Sequence, residues 1–303
     1  MKFPDFNLKI NRKAYFERKV TIVGKNNSTS RFSGGKILFL LVILFVLYTK
    51  YPHTFRSAAH FVTDSVNSQY QSNEKIHWQK LGPGIEIADV KTKSDLSHLT
   101  ISVFMVRIDP NKFVVRIHRD RDLTTAAEAA QATGAILAIN GSFFDPQGRP
   151  LGLIIQQGRL IQSMPKRGMK SSGVFFMRGN RPYIVHRSQF QNSDVDEAIQ
   201  SIPRLISGYS PIPGLKDDQK IKRRSGIAID NRNSIIFAVT DSHLSGLTLQ
   251  DFQNFLLRPE LKIKSALNLD GGRSSQLYLN YGNFERSITG LAAVPLFINI
   301  FPR

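Results

Sequence analysis

The chain has 303 residues, 41% hydrophobic and 21% charged, an ordinary globular composition that excludes a collagen-like or wholly disordered protein. Lysine and arginine outnumber aspartate and glutamate by 41 to 23, for a net charge of +18. Cysteine is absent, so disulfide frameworks, thiolate zinc sites and cysteine nucleophiles are excluded. The charge is unevenly placed: ten basic residues against Asp5 and Glu17 give +8 up to Pro52, leaving 31 basic and 21 acidic residues, or +10, beyond it. That second excess points to anionic partners.

Ile37 to Tyr48 is an unbroken run of twelve apolar or aromatic residues between Lys36 and Lys50. A membrane-spanning helix needs roughly 17–25 residues, and the segment 33–51 reaches that length when both lysines snorkel to the interfaces. Tyr48 and Tyr51 then sit at the aromatic belt. The competing reading is a cleaved signal peptide, whose apolar core runs to about 7–15 residues. The long basic leader and the late position of the small-residue site Ser57-Ala58-Ala59 favour an uncleaved anchor, and a buried core helix finds nothing in the leader to pack against. Nine lysines and arginines from Lys2 to Lys36 hold the amino terminus in the cytoplasm by the positive-inside rule. The expected organisation is a basic tail over 1–32, a single-pass anchor over 33–51, a polar stalk over 52–80 and an exported domain over 81–303, periplasmic in a Gram-negative cell.

Along that domain, Leu99 to Ile108 and Lys112 to His118 alternate apolar with polar residues around Asp109-Pro110-Asn111, which predicts a hairpin. Thr125 and Glu128 form a capping box that opens an alanine-rich helix, and Gly134 ends it. Ala135 to Ile139 reads as a buried strand leading into the loop from Asn140 to Asp145. Hairpins follow: Leu151 to Ile161 turning at Gln157-Gly158, Val174 to Val185 turning at Gly179-Asn180, and Ile227 to Val239 turning around Asn231. Thr248 to Leu257, with Asp251 as capping partner, is a second helix. Strands Ser265 to Leu269 and Gln276 to Leu279 bracket a glycine loop, and Val294 to Phe301 closes the chain. Strands outnumber helices and neighbours form hairpins, so the expected class is α+β with a predominantly antiparallel sheet.

Polar chemistry concentrates where apolar strands end and the backbone is rigid. One such place is Asn140-Gly141-Ser142; the other is Asp270-Gly271-Gly272-Arg273-Ser274-Ser275, a carboxylate followed by glycines whose N–H groups can approach an anion. Taken singly, Asn140-Gly141 and Asp270-Gly271 read equally well as plain turns. Arg204, set between apolar residues, must find an anion or expose its head. Of the cluster Lys222-Arg223-Arg224, Lys222 and Arg223 read as solvated surface charge. Among the scattered histidines only His243, close behind Asp241 at a strand end, is a site candidate. Ser163-Met164-Pro165-Lys166 has the spacing of a serine–lysine tetrad but lacks the partner motifs, and no phosphate loop, zinc helix or nucleophile elbow is present. Asn140-Gly141-Ser142 is formally a glycosylation acceptor, and a glycan there would obstruct a working loop. Nucleic acid is not expected as a partner, since no dense stripe of cations and aromatics offers a platform.

In order, the blocks Ala138 to Leu160, Ala198 to Ile206, Arg223 to Asp230, Val239 to His243 and Ala266 to Ser275 resemble the phosphodiester glycosidase family, with the resemblance running from about Leu81 to the carboxyl terminus. It implies hydrolysis of a sugar-1-phosphodiester at the bond from anomeric carbon to phosphate oxygen, with a cell-envelope or extracellular glycan as substrate and no cofactor or metal. A phosphomonoester leaves readily, so cations and backbone donors matter more than a general acid. On that reading Arg204 and Arg224, helped by the Gly271-Gly272 backbone, receive the departing phosphate. Asp270 is the first choice for the working carboxylate and Asp241 the second. Asn140, Gly141, Ser142, Ser274 and His243 complete the substrate-binding set. Two departures from the family pattern stand out: Arg273 occupies a glycine position, and Gly226-Ile227-Ala228 exchanges the usual alanine and glycine. The competing readings are a phosphodiesterase using metal held by Asp241, His243 and Asp270, and a non-enzymatic module binding anionic glycans.

Overall fold

A computed structural model describes residues 75–170, 172–215, 219–243 and 245–303. The basic tail, the anchor expected over 33–51 and most of the stalk lie outside the described residues. Among those described, no helix is long and apolar enough to cross a membrane.

In chain order the strands are β1 (Gln79–Gly82), β2 (Ile85–Lys93), β3 (Thr100–Ile108), β4 (Phe113–Thr124), β5 (Leu137–Asn140), β6 (Ile154–Gln156), β7 (Arg159–Gln162), β8 (Gly173–Arg178) and β9 (Arg181–His186). They continue as β10 (Glu197–Ser201), β11 (Arg204–Ser207), β12 (Ser210–Pro211), β13 (Ser225–Asp230), β14 (Ile235–Asp241), β15 (Ile263–Asn268), β16 (Leu277–Tyr281), β17 (Phe284–Ile288) and β18 (Val294–Pro302). Helices α1 (Ala126–Thr133) and α2 (Leu249–Leu256) are the α-helices among the described residues. Both begin at the predicted capping boxes, on Thr125 with Glu128 and on Thr248 with Asp251, and Gly134 closes α1 in the left-handed conformation.

The strands form three antiparallel sheets: an eight-stranded one ordered β1-β2-β3-β14-β13-β15-β11-β12, and two five-stranded ones ordered β7-β6-β10-β8-β9 and β17-β16-β5-β18-β4. The α+β, mainly antiparallel class therefore holds. Strand alternation explains the layering, because successive side chains point to opposite faces. In β14, Ile235, Phe237 and Val239 enter the core shared by all three sheets, whereas Ile236 and Ala238 face α2 through Phe252, Phe255 and Leu256. The outer face of the β5 sheet is covered by Ala126, Ala129 and Ala130 of α1.

Three expectations are corrected. β3 and β4 are not hairpin partners: β3 pairs with β2 and β14, β4 with β18, and the residues between them carry the chain from one sheet to another. Both strands alternate correctly for a hairpin, but each also has an apolar face matched to the central core, and burial there selects other neighbours. Likewise β15 and β16 flank the glycine loop from different sheets. The folded unit also begins before residue 81, since β1 starts at Gln79 and Trp78 lies under the Arg107 guanidinium at 3.7 Å from the ring centre. The hairpins at Gln157-Gly158, Gly179-Asn180 and Asn231 are present.

The exchanged glycine has a packing cause. A Cβ at Gly226 would lie 2.9 Å from the Phe252 ring of α2, while Ala228 fits the same core two residues on. Gly226→Ala is expected to destabilise the fold by about 1–3 kcal/mol through overpacking, read as a lower urea midpoint with an unchanged slope.

Candidate active site

The site is built on Asn140, the last residue of β5. Its side chain is buried and every hydrogen-bonding position on it is taken. The amide nitrogen donates to the carbonyls of Asp270 (2.7 Å) and Gly141 (3.3 Å), and the amide oxygen accepts from the Ser225 hydroxyl (2.8 Å) and the Gln276 N–H (3.1 Å). The Asp270 N–H donates to the Gly141 carbonyl (3.0 Å) and the Gly141 N–H to the Leu296 carbonyl (2.7 Å). A Cβ at Gly141 would lie 2.9 Å from the Leu296 side chain. The Ser142 hydroxyl donates to the Gln200 carbonyl at 2.6 Å. Asn140, Gly141 and Ser142 thus work inside the protein, positioning the Asp270 loop, rather than facing a sugar.

Asp270 stands one turn beyond β15, followed by Gly271 and a short 3-10 turn over Gly272–Ser274. Burial pushes its carboxyl pKa above the ordinary aspartate value, opposed in turn by hydrogen bonds from the Ser274 hydroxyl and the Gly271 N–H and by the positive charge of Lys222. The loop is pinned against the start of β13: Gly272 N–H donates to the Arg223 carbonyl at 2.7 Å, and a Cβ on Gly271 would come within 2.9 Å of that oxygen. Here the absence of a side chain is required by close approach. Gly246 behaves likewise, since its Cβ would lie 2.0 Å from the Lys222 carbonyl. Arg273 points outward, donating to the Leu291 carbonyl at 3.3 Å.

The cations fall differently from the expectation. Arg224, expected to meet phosphate, is buried and donates to the backbone carbonyls of Leu247 and Lys220, each at 2.8 Å, so it holds the loops behind β13. Arg223, read from sequence as surface charge, is 4% exposed. All three of its guanidinium nitrogens are buried without a hydrogen-bond partner. Burial pulls its pKa down, and the charge of Asp241 partly offsets this. Arg204 also departs from its expected place, turning along β11 to donate to the Ser207 hydroxyl at 3.3 Å. Asp241 is ion-paired with Arg286 of β17, and His243 is exposed in the following loop. Asp241, His243 and Asp270 form no cluster able to share a metal ion, and no group of three such side chains does so among the described residues.

The structure therefore brings together Asp270, Gly271, Gly272 and Ser274 with Lys222 and with the backbone of Arg223, the two residues that sequence reasoning set aside. The signal for Arg223 was strand phase. Ser225, Ile227 and Ile229 face the central core, and an arginine two residues before Ser225 shares that face.

Comparison with known proteins agrees with the order of the blocks. Residues 133–300, more than half the chain, match the family model described as phosphodiester glycosidase. The chain belongs to that family. Over 154 residues it is 26% identical to the uncharacterized protein YigE of Escherichia coli K12, a match covering 48% of this chain and 59% of YigE. Among solved structures it shares the fold of the catalytic domain of zebrafish N-acetylglucosamine-1-phosphodiester alpha-N-acetylglucosaminidase, solved in a form auto-inhibited by its pro-peptide. That similarity has a TM-score of 0.59 at 16% identity over 76% of this chain and 88% of that one. A hypothetical protein from Synechocystis is similar with a TM-score of 0.53 at 16% identity, over 77% of this chain and 64% of that one.

An unpartnered buried cation costs folding energy, so its cost is measurable. Arg223→Met is expected to raise stability by about 1–2 kcal/mol in urea unfolding, as removal of an uncompensated buried charge does. A structural arginine would give the opposite sign.

Proposed function

We propose that this family member hydrolyses a sugar-1-phosphodiester at the glycosidic carbon–oxygen bond, on an anionic glycan of the cell envelope or outside it. The observation that carries the reading is the desolvated carboxylate of Asp270 on a two-glycine loop, facing the positive charge of Lys222 and braced by the Arg223 carbonyl. Asp270 as carboxylate activates water or stabilises the positive charge developing at the anomeric carbon. The water oxygen joins that carbon, and the phosphate oxygen leaves with the bonding pair as a phosphomonoester. Negative charge grows on the leaving group, and Lys222 beside Asp270 is placed to receive it. The buried charge of Arg223 contributes at longer range through a poorly screened interior, where a fixed charge is worth more than in water. Ser274 holds Asp270 in orientation.

The proposal extends to location: a single span over 33–51, the amino terminus cytoplasmic and the catalytic unit on the far side, periplasmic in a Gram-negative cell. Its support is the nine cations ahead of the apolar run. Binding of a phosphorylated carbohydrate agrees with the +10 excess beyond Pro52.

The deciding experiment incubates the full-length protein with a sugar nucleotide carrying N-acetylglucosamine in oxygen-18 water. Free sugar bearing the label is expected, with rate losses of about 10³-fold in Asp270→Asn and about 10²-fold in Arg223→Met. Label in the phosphate instead would mean phosphorus–oxygen cleavage and sink the glycosidase reading.

The pH profile follows from the direction of the Asp270 shift. Because burial raises its pKa, the working carboxylate forms only as pH rises through that raised value. The acid limb of kcat/KM is therefore expected above the ordinary aspartate value of 3.8. Lys222→Met removes the cation that lowers the pKa and is expected to move the limb further upward. A limb unmoved by that change would remove Asp270 from the role.

A further inference from the structure

A cavity of about 500 Å³ lies between β9 and strands β11, β13 and β15, with Arg204 entering it from the end of β11 that pairs with Leu267. Arg181, Arg204 and Lys264 line it, together with the hydroxyls of Ser207 and Ser265, and no carboxylate does. The carboxylate adjoining it in sequence, Asp230, is engaged by Arg107 and Arg232, each at 3.6 Å. Three cations thus share one concave space without counter-charge, an arrangement that repels itself until an anion enters.

Arg204 is built into this wall. Its stem crosses Gly173 of β8 so closely that a Cβ there would lie 2.4 Å from Arg204 Cγ, and burial lowers its pKa with no opposing acid. Its one hydrogen bond, to Ser207 at 3.3 Å, leaves most of the guanidinium fork uncommitted and reachable from the cavity. Beside it, Pro182 and Ile184, on the same face of β9, give an apolar surface. Charge donors and hydroxyls beside this apolar wall match an anionic group carried on a sugar ring.

The cavity is separate from the Asp270 site. Lys264 and Ser265 line it at the start of β15, six and five residues before Asp270, and although Arg204 sits opposite Leu267 its side chain turns along β11 toward Ser207, which pairs with Ser265. We propose that this cavity is a second binding site, for a phosphoryl group borne by a sugar, with Arg204 as its central ligand and Lys264 and Arg181 completing the charge. The proposal does not depend on Asp270 being catalytic.

The test titrates the full-length protein calorimetrically with glucose 6-phosphate and, separately, inorganic phosphate, neither of which is a phosphodiester. Saturable binding is expected for both, tighter for the sugar phosphate, and persisting in Asp270→Asn. Arg204→Gln is expected to weaken it about tenfold. The exposed Lys264→Gln, which is no threat to folding, is expected to weaken it about threefold. Gly173→Ala, which leaves every charge in place but displaces the Arg204 stem, is expected to weaken it as well. Binding indifferent to Arg204→Gln and Lys264→Gln, or abolished by Asp270→Asn, would overturn the second site. Equal affinity for phosphate and glucose 6-phosphate would overturn the sugar-bearing ligand. Labelled sugar release is a separate readout, so its failure bears on the hydrolase reading and leaves this one standing.

Discussion

The site depends on one saturated amide. Asn140 joins four chain segments that are distant in sequence: its own β5, the start of β16 through Gln276, the start of β13 through Ser225, and the Asp270 loop. These contacts link the β5 sheet to the eight-stranded sheet at the end of the core, where apolar packing gives way to polar chemistry. A buried amide with all its positions engaged has one orientation, because rotating it would face donors with donors. The Asp270 carbonyl is therefore fixed from below, and the carboxylate above it inherits that position. An Asn-Gly-Ser sequence that looks like a binding loop is instead the support beneath the Asp270 loop.

On this foundation, the two arginines just before β13 meet different surroundings. Arg224 meets the backbone carbonyls of Leu247 and Lys220, which absorb its donors without neutralising its charge. Arg223 lies among residues that supply no acceptor, and only the charge of Asp241 reaches it. Since Asp241 is itself ion-paired with Arg286, its charge is shared between two cations. A buried charge left unpaired in this way is a standing cost to folding, and such costs persist where a site uses them.

How far the sequence carries can be followed through particular residues. Helix caps were legible because Thr125 with Glu128 and Thr248 with Asp251 are local chemistry, and the turn at Gln157-Gly158 because both residues adopt positive φ, at 48° and 75°. Partners of strands were not. Residues 109–112 serve a sheet-to-sheet crossing as well as a hairpin, and only the shared core decides. β10 escaped notice because Glu197 and Gln200, polar by sequence, are wholly buried. Glu197 accepts from the Ile117 N–H at 2.9 Å and the Gln157 N–H at 3.1 Å, and Gln200 from the Leu153 N–H at 2.9 Å. These side chains replace ladder partners between sheets, which no alternation rule anticipates. The glycine loop bearing Asp270 was legible at a strand end, whereas the burial of Arg223 was not, because Arg223 was judged by its charged neighbours and not by the phase it shares with Ser225.

The glycines complete the logic. Gly271 and Gly246 press backbone onto backbone at either side of residues 222–223, and Gly226 lets α2 lie against β13 directly behind them. Each removes a side chain's thickness between layers, so the backbone of residues 222–223 is set against the Asp270 loop by main-chain geometry, whose positional error is smaller than that of a long flexible side chain. The exchange of glycine and alanine between 226 and 228 fits this scheme: close approach is needed where Phe252 crosses the strand, at 226, while 228 is an ordinary packing position against the same layer. The same reasoning separates Arg273 from the working cations. It occupies a glycine position of the family pattern without obstructing the loop, since its side chain turns out toward Leu291 and its carbonyl accepts from the N–H groups of Leu291 and Ala292 at 2.8 and 3.0 Å. At 273 the side chain has room to turn outward along residues 291–292, whereas at 271 the Arg223 carbonyl leaves no space for a Cβ.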